Sequence, residues 1–403
     1  MIPLLERIQT AAQLNRARMI DFTQRIVATP SLPGHEGDVA AIISRELHDL
    51  GYDEVYTDEV GNVIGKIKGG DGPVVLLNGH MDHVDPGPVE GWPYPPFSAQ
   101  IVEGELWGRA SVDMKGPMAC MIYATSLFKQ LNLQPKGDIY MTVPVMEEVG
   151  GLGTVHLAQS LKAQAAICGE PSNNTLRRGH RGRVELWVTF NGKSAHASVP
   201  DLGINPHFAA AQFILALPGL DLGYDPSLGL SSVVPTMLTT DQLSRNVIPG
   251  RIELTLDWRN IASESPADIL AKTQALLTKT LNELADPVEA TVEIPSQSWT
   301  TYTNFTQEMP MIFPSYLLAE DHPFVVASHR ALVEALEREV EIDVWRFATD
   351  GGNLVKAGIP TIGFGPGNDR LAHTNQERIS LAQMDEAVVA YLAMTMALAE
   401  AVP

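Results

Sequence analysis

The sequence predicts an α/β fold, in which a mostly parallel mixed sheet is flanked by helices and carries an inserted, smaller α+β domain. Three observations lead to this class. Short apolar runs such as Val74 to Leu77 end in turn residues, as strands buried on both faces do. Segments with helical apolar spacing separate these runs. After Leu176 the expected strands alternate polar and apolar residues, which is typical of a sheet with one solvated face.

Length and composition restrict the class of protein. A chain of 403 residues is too long for one ordinary core, so about two domains are expected. The 28 basic and 48 acidic residues give a net charge of −20, which disfavours nucleic acid and membrane surfaces as partners. The only cysteines, Cys120 and Cys168, cannot form a disulfide framework. We find neither a signal peptide nor a stretch approaching the length of a membrane span, and we expect a cytoplasmic protein.

The first part of the chain alternates helices and strands. Residues 14–29 have helical spacing and end at Pro30, and residues 38–50 form a second amphipathic helix that Gly51 can close. An apolar helix is expected at 117–131, with Pro117 in its favoured first turn. The expected strands are two within 52–68 and one each at 74–77, 138–146 and 163–168.

The middle of the chain has a different order of elements. Strands are expected at 183–190, 231–239, 251–259 and 288–294, and helices at 206–217 and 266–284. This strand-helix-strand-strand-helix-strand order indicates a small α+β unit. The α/β pattern then resumes, with helices at 324–340 and 381–401 and strands at 344–349 and 359–364.

Acidic residues or a histidine follow the apolar strands of the first part. Open α/β sheets bind their ligands at the carboxyl ends of their strands. One acid at such a point is usually a helix cap or a solvated turn, but six in register are hard to obtain from capping alone. The six are His80, Asp82, Asp113, Glu147, Glu148 and Glu170.

These side chains, together with His373, have the chemistry of a metal site. Histidines and carboxylates without cysteine suit Zn²⁺, Co²⁺ or Mn²⁺. One carboxylate can bridge two ions, and two ions can activate a water molecule and polarise a carbonyl group. A nearby carboxylate that does not bind metal must then move the proton of that water. Glu147 and Glu148 can divide these roles, although a Glu-Glu pair before Gly-Gly also suits the start of a helix.

A set of short motifs extends over nearly the whole chain: GHMD (79–82), GRASVDMKG (108–116), EEVGGLG (147–153), GEPS (169–172), SAHASVP (194–200), NVIP (246–249) and AHTNQE (372–377). In order and spacing the chain resembles the co-catalytic metallohydrolases, a family that includes acetylornithine deacetylase, succinyl-diaminopimelate desuccinylase, aminoacylase and glutamate carboxypeptidase. GHRGRVEL (179–186) and ATDGGNL (348–354) are similar to its selenium-metabolism-linked hydrolase branch.

The resemblance implies a role for each matching metal ligand. Asp113 is expected to bridge two divalent ions, with Zn²⁺ expected before Co²⁺ or Mn²⁺. His80 and Glu170 would complete the first site, and Glu148 and His373 the second.

The resemblance also implies roles in catalysis and substrate binding. Glu147 is expected to be the general base and acid, and Asp82 to fix the tautomer and orientation of His80. His196, in the insert, would stabilise the oxyanion. Asn246 and Arg259 are expected near the substrate carboxylate, and Arg181 and Thr349 are expected to assist substrate binding.

The resemblance finally implies the organisation and activity of the protein. Residues 1–178 and 297–403 would form a catalytic domain, and residues 179–296 a lid that also pairs subunits into a homodimer. We expect a metal-dependent hydrolase that cleaves the amide bond of an N-acyl amino acid. The main alternative is a metallo-carboxypeptidase or dipeptidase. Hydrolysis of a ureido or cyclic amide substrate is less favoured. A metal-binding protein without turnover is a remote alternative.

Overall fold

A computed structural model describes residues 3–284 and 286–401. Its largest feature is a nine-stranded mixed sheet. Eight of its strands follow one another across the sheet, and Ile342–Trp345 pairs with Leu176–His180 beside this path. The eight, in spatial order, are Glu54–Thr57, Val63–Ile67, Ile139–Val143, Val75–Asn78, Ala165–Cys168, Thr361–Gly363, Leu176–His180 and Tyr316–Leu317.

The centre of this sheet is parallel, and antiparallel pairs lie toward both edges. Val75–Asn78 runs parallel to Ile139–Val143 on one side and to Ala165–Cys168 on the other. All four residues of Val75–Asn78 are buried, as the apolar run predicts. The predicted α/β class, with a mixed sheet flanked by helices, is confirmed.

Helices cover the sheet and enclose the larger hydrophobic core. Five of them match predicted helices, although the first starts at Leu4 rather than near Leu14, and two, Leu152–Ser160 and Gly351–Lys356, were not predicted. The helices are Leu4–Val27, Gly37–Asp49, Gly116–Gln130, Leu152–Ser160, Pro323–Leu336, Gly351–Lys356 and Leu381–Ala401.

The closing helix, Leu381–Ala401, corrects one expectation. By length and composition alone it could cross a membrane, since an 18-residue window of it has a mean hydropathy of 1.2. However, 61% of that window is buried inside the protein, and the helix packs against Gly116–Gln130 and Pro323–Leu336. Its apolar composition is therefore accounted for by its place in the core.

The inserted segment forms a second, smaller sheet of five strands with a core of its own. Along Arg251–Arg259 every second residue is buried, as the alternating sequence predicts. The buried face packs on two helices, Pro206–Ala216 and Pro266–Asn282. The strands are Ser232–Thr240, Arg251–Arg259, Arg183–Asn191 and Glu289–Glu293 in spatial order, with Ile312–Phe313 pairing beside Arg183–Asn191.

The second helix of this unit begins where its sequence specifies. Pro266 occupies the first turn, where its missing N–H is not needed. The Ser265 hydroxyl accepts the N–H of Asp268, and the Asp268 carboxylate accepts the N–H of Ser265. Such a reciprocal pair satisfies two backbone donors and fixes the helix start.

The two sheets do not divide at the predicted domain boundaries. Leu176–His180 spans residue 178 and lies entirely in the large sheet, whereas Ile312–Phe313, beyond residue 296, joins the smaller one. The hairpin of Ser296–Thr300 with Thr306–Pro310 lies between them in the chain. The division into 1–178, 179–296 and 297–403 stays a prediction.

Several short strands complete the described part of the chain. A three-stranded sheet joins Ile101–Val102, Glu105–Trp107 and Arg378–Ser380. Two short pairs lie in the insert: Tyr224–Asp225 with Gly229–Leu230, and Ala195–His196 with Val247–Ile248.

Candidate metal centre and active site

The parallel strands bring five of the predicted residues to one edge of the large sheet. Asn78, the last residue of its strand, is level with Thr142 on one neighbour and with Cys168 on the other. The chain segments that leave these three strands therefore emerge side by side. They carry His80 and Asp82, then Glu147 and Glu148, and then Glu170.

Three donors form a first group around His80. His80 Nε2 lies 3.1 Å from Asp113 Oδ1 and 3.5 Å from Glu170 Oε1. His80 and Glu170 are almost completely buried. Donor atoms of His80, Asp113 and Glu170 all lie within 4.8 Å of one another, close enough to bind one ion together.

A second group shares Asp113 with the first. His373 Nε2 lies 3.1 Å from Asp113 Oδ2 and 3.1 Å from Glu148 Oε2. Asp113, Glu148 and His373 also offer donor atoms within 4.8 Å of one another. The two oxygens of Asp113 therefore face different histidines, which is the arrangement that a carboxylate needs to bridge two ions.

The Asp113 loop is positioned by a residue that the sequence interpretation missed. Glu377 Oε1 accepts the backbone N–H groups of Val112 and Asp113, each at 3.2 Å. Its other oxygen pairs with Arg109, and both side chains are buried. The available signal was the acid that closes the AHTNQE motif, four residues after His373.

Asp82 has a wider role than the one inferred from the sequence. Its Oδ1 lies 3.4 Å from His80 Nδ1, close enough to influence that ring. The carboxylate also accepts two backbone N–H groups, that of Glu147 with Oδ1 and that of Glu148 with Oδ2, each at 3.1 Å. Asp82 therefore connects His80 to the segment that carries both glutamates.

Glu147 has the environment of a group that exchanges protons. Its side chain is only 8% exposed, and its Oε2 lies 4.0 Å from His80 Nε2. Burial raises the pKa of Glu147 well above its ordinary value, and the nearby carboxylates of Asp350 and Glu170 raise it further, against the opposing charge of His80. A raised pKa makes a carboxyl group a better proton carrier near neutral pH.

The electrostatics of the cluster favour bound cations. Burial and the charge of Asp113 raise the pKa of Glu170 to about 7, and hydrogen bonds to Asp113 and Glu148 raise that of His373 to about 11. Among the described residues, buried Glu170 Oε2 has no hydrogen-bond partner. Two divalent ions would neutralise the crowded carboxylates and would supply a partner for the buried oxygen that has no hydrogen-bond donor.

The cluster opens into a cavity of about 310 Å³. Asp113, Glu147, Glu148, Glu170 and His373 form its polar floor. Arg259, predicted to lie near the substrate carboxylate, lines the same cavity, and so do three residues that were not predicted: Arg183, Phe313 and Phe347.

The other predicted substrate-side residues lie elsewhere. Of the described residues that line the cavity, none is His196, Asn246, Arg181 or Thr349. His196 is exposed on its short strand, with Nε2 3.4 Å from Asn246 Nδ2.

Arg181 and Thr349 are occupied by contacts within the protein. Arg181 donates to the carbonyl of Leu230. Thr349 is fully buried, and its hydroxyl accepts the N–H of Gly351 at 3.0 Å. His180 lies between the two residues, because its Nε2 accepts the N–H of Thr349 and its Nδ1 donates to the carbonyl of Arg181.

Comparison with known proteins agrees with this geometry. Residues 76–397 match the model of peptidase family M20/M25/M40. The chain is 31% identical over 374 residues to the protein YgeY of Escherichia coli K12, with 90% of each chain covered. It is 26% identical over 391 residues to the succinyl-diaminopimelate desuccinylase of Hydrogenovibrio crunogenus, covering 92% of this chain and 96% of that one.

A solved structure shows the same fold. The Bacillus subtilis YXEP protein, described as a dinuclear metal-binding peptidase of family M20, superimposes with a TM-score of 0.73. The two chains are 17% identical, and the alignment covers 97% of this chain and all of the other.

Proposed function

This chain belongs to peptidase family M20/M25/M40, and from that membership we propose that it is a two-metal hydrolase of N-acyl amino acids. The family assignment confirms the resemblance read from the motifs and makes the chain a metal-dependent hydrolase of amide bonds. The number of ions, their identity, the roles of individual residues and the substrate are parts of the proposal.

One observation carries the two-metal proposal most directly. The two carboxylate oxygens of Asp113 face two separate histidines, each accompanied by one more glutamate. His80 and Glu170 would hold one ion with Asp113, and Glu148 and His373 would hold the other. Zn²⁺ suits these ligands, and Co²⁺ or Mn²⁺ would also fit them.

The residues around the ions divide the remaining work. Bound ions would supply Lewis acidity toward the substrate carbonyl and toward a water molecule. Glu147, which lies in the same cavity and is not needed as a ligand, takes the proton of the attacking water and delivers it to the leaving nitrogen. Asp82 holds His80 and both glutamates in place for these steps.

Arg259 supports a substrate that carries a carboxylate. It lines the metal cavity, and a guanidinium group forms strong charge-assisted hydrogen bonds with a carboxylate. An N-acyl amino acid places such a carboxylate next to its amide bond. The C-terminal residue of a dipeptide does the same, and the YXEP protein is described as a peptidase, so a peptidase remains the second candidate.

A hydrolysis screen tests the proposal and separates the two candidates. The protein, reconstituted with Zn²⁺, Co²⁺ or Mn²⁺, would be assayed on N-acetyl and N-succinyl amino acids and on matched dipeptides. We expect a higher kcat/KM for the acyl amino acids. Turnover of dipeptides alone would favour the peptidase, and hydrolysis of neither set would contradict both.

We also propose that His196 acts across a homodimer. His196 and Asn246 lie together on an exposed surface of the smaller unit, outside the described lining of the cavity. The edge strand Ser232–Thr240 exposes Val234, Met237 and Leu238. An exposed strand edge with apolar side chains is suited to pair with a second copy across a two-fold axis. The smaller unit would then act as lid and dimerisation domain.

Mixing two inactive variants tests this arrangement. Glu147→Gln and His196→Ala subunits would be exchanged and assayed together. If His196 acts in trans, each mixed dimer has one intact site, and random pairing restores about a quarter of wild-type activity. A mixture that stays inactive after demonstrated exchange would mean that His196 acts within its own chain. The cytoplasmic location likewise stays a prediction.

A further inference from the structure

Two arginines on the smaller sheet share one carboxylate beside the metal cavity. Arg183 Nε donates to Asp257 Oδ2 at 2.7 Å, and Arg259 Nε donates to Asp257 Oδ1 at 2.6 Å. The strands Arg183–Asn191 and Arg251–Arg259 are hydrogen-bonded neighbours, with Asp257 level with Glu185. The shared register explains why the side chains of Arg183, Glu185, Asp257 and Arg259 meet on one face.

The simplest explanation is a solvated ion-pair network on the open face of a sheet. Such pairs contribute little to stability, and they do not require a cavity. Here, however, both arginines line the cavity whose floor is formed by Asp113, Glu147 and His373. Asp257 is only 17% exposed, so the pair is partly shielded from water.

The hydrogen bonds leave the same nitrogen available on each arginine. Arg183 uses Nε toward Asp257 and Nη2 toward Glu185. Arg259 uses Nε and Nη2, both toward Asp257. Among the described residues, neither Nη1 has a hydrogen-bond partner. Asp257 therefore fixes two guanidinium groups side by side while leaving a donor free on each.

The surroundings favour an anion near this pair. Burial lowers the pKa of Arg181, and the positive charges of Arg259 and Arg346 lower it further. The four arginines, Arg181, Arg183, Arg259 and Arg346, outnumber the acidic groups that face them, Glu185, Asp257 and Glu264, by one, in a chain whose net charge is −20. Phe313, level with Arg183 in the sheet, lines the cavity beside the pair.

We propose that Arg183 and Arg259, held together by Asp257, bind the substrate carboxylate jointly, which makes Arg183 a second specificity-determining residue. This inference rests on the proposed hydrolysis of a carboxylate-bearing amide and adds Arg183 to the contact already proposed for Arg259. Each free Nη1 would donate to one carboxylate oxygen. Two parallel charge-assisted hydrogen bonds give both affinity and direction, which a single lysine-like charge would not.

Steady-state kinetics on a matched substrate pair test the subsite. The pair is the best N-acetyl amino acid from the screen and its primary carboxamide, which has no carboxylate. Arg183→Ala is expected to raise KM for the acid by about tenfold or more, because a charge-assisted bond is lost. The value of kcat should change little, and KM for the carboxamide should stay within about twofold. Arg183→Lys should give an intermediate KM for the acid.

Arg251 provides a control at the opposite end of the strand that carries Arg259. It pairs with Glu253 at 2.8 Å, as Arg259 pairs with Asp257, but it does not line the cavity. Arg251→Ala should leave both KM values unchanged. Equal rises of KM for acid and carboxamide in Arg183→Ala, or an unchanged KM for the acid, would assign Arg183 a purely structural role and overturn the inference.

A binding experiment separates failure of this inference from failure of the proposed function. Calorimetry on Glu147→Gln protein would compare the N-acetyl amino acid with its carboxamide, with and without Arg183→Ala. A preference for the acid that depends on Arg183 supports the subsite, even if wild type hydrolyses neither compound. Equal affinity for acid and carboxamide, or a preference that survives Arg183→Ala, contradicts it.

Discussion

Asp82→Asn tests whether one carboxylate positions both sides of the metal centre. Asp82 accepts the N–H groups of Glu147 and Glu148, each at 3.1 Å. Asparagine has nearly the same size, but it replaces one acceptor oxygen with an NH₂ group. One of the two backbone N–H groups would then face a donor. A buried donor left without an acceptor costs about 1–3 kcal/mol.

Metal-free protein can relieve that cost by moving Glu148 out of its ligand position, whereas ion binding would restore the unfavourable contact, so the cost should appear in metal affinity. We expect Asp82→Asn to bind Zn²⁺ about 5- to 150-fold more weakly, which is the equivalent of about 1–3 kcal/mol. The assay is a calorimetric titration of metal-free protein, with a chelator as competitor. A fall in kcat should accompany the loss, because Glu147 shifts as well.

Asp225→Asn is a control for the same substitution far from the metal centre. Asp225 also accepts two backbone N–H groups, those of Ser227 and Leu228, but with one oxygen, Oδ1, and in a short hairpin of the smaller unit. Its substitution should leave Zn²⁺ affinity unchanged. An Asp82→Asn protein that binds Zn²⁺ within about twofold of wild type, or an equal loss in Asp225→Asn, would refute the positioning role.

Three further predictions follow from the site. Glu147→Gln should abolish turnover and keep both ions by elemental analysis; loss of metal would mean that Glu147 is a ligand and Glu148 the proton carrier. Asp113→Ala should retain less metal than Glu170→Ala, because Asp113 serves both ions; one ion bound at full strength would contradict bridging. Burial lowers the pKa of His180 to about 4, so between pH 6.5 and 4 the unfolded chain binds more protons at this residue than the folded chain. The free energy of unfolding, measured in urea on metal-free protein, should therefore fall as the pH drops through that window. The fall should be about 3 kcal/mol larger in wild type than in His180→Gln. An equal pH dependence of the two proteins would refute this prediction.

Much of the fold was predictable because local sequence and burial agree. Val74 to Leu77 is a purely apolar run followed by the turn residues Asn78 and Gly79, and Arg251–Arg259 alternates strictly. At such places the period of the apolar residues alone specifies a strand and the face that it buries. The strand register then brings the acids that follow these strands together.

Elements with an atypical local sequence were missed. Leu176–His180 contains two arginines and a glycine, yet it is buried in the large sheet. Arg178 is tolerated there because it donates to the carbonyl of Leu318 and pairs with Glu320, partners that lie far away in the chain. The helix expected to reach 340 ends at Leu336, where Glu337 adopts a left-handed conformation with φ of 51°.

The site was predictable as a set of residues but not as a set of contacts. The motifs identified the proposed ligands, whereas the support of Asp113 by Glu377 joins residues 264 positions apart. The pairing of Arg183 with Asp257 likewise depends on strand register, because Arg183 in the sequence is one of several charged residues on an alternating strand. Contacts of this kind become visible only once the chain is folded.

Metal analysis combined with hydrolysis tests the central claim most directly, namely that Asp113 joins two ions in one amide-cleaving site. Metal-free protein would be titrated with Zn²⁺ while bound metal and cleavage of an N-acetyl amino acid are followed together. We predict two ions bound per chain, hydrolysis that depends on bound metal, and loss of hydrolysis when a chelator removes it. Full hydrolysis by metal-free protein, or saturation at a single ion per chain, would contradict the claim.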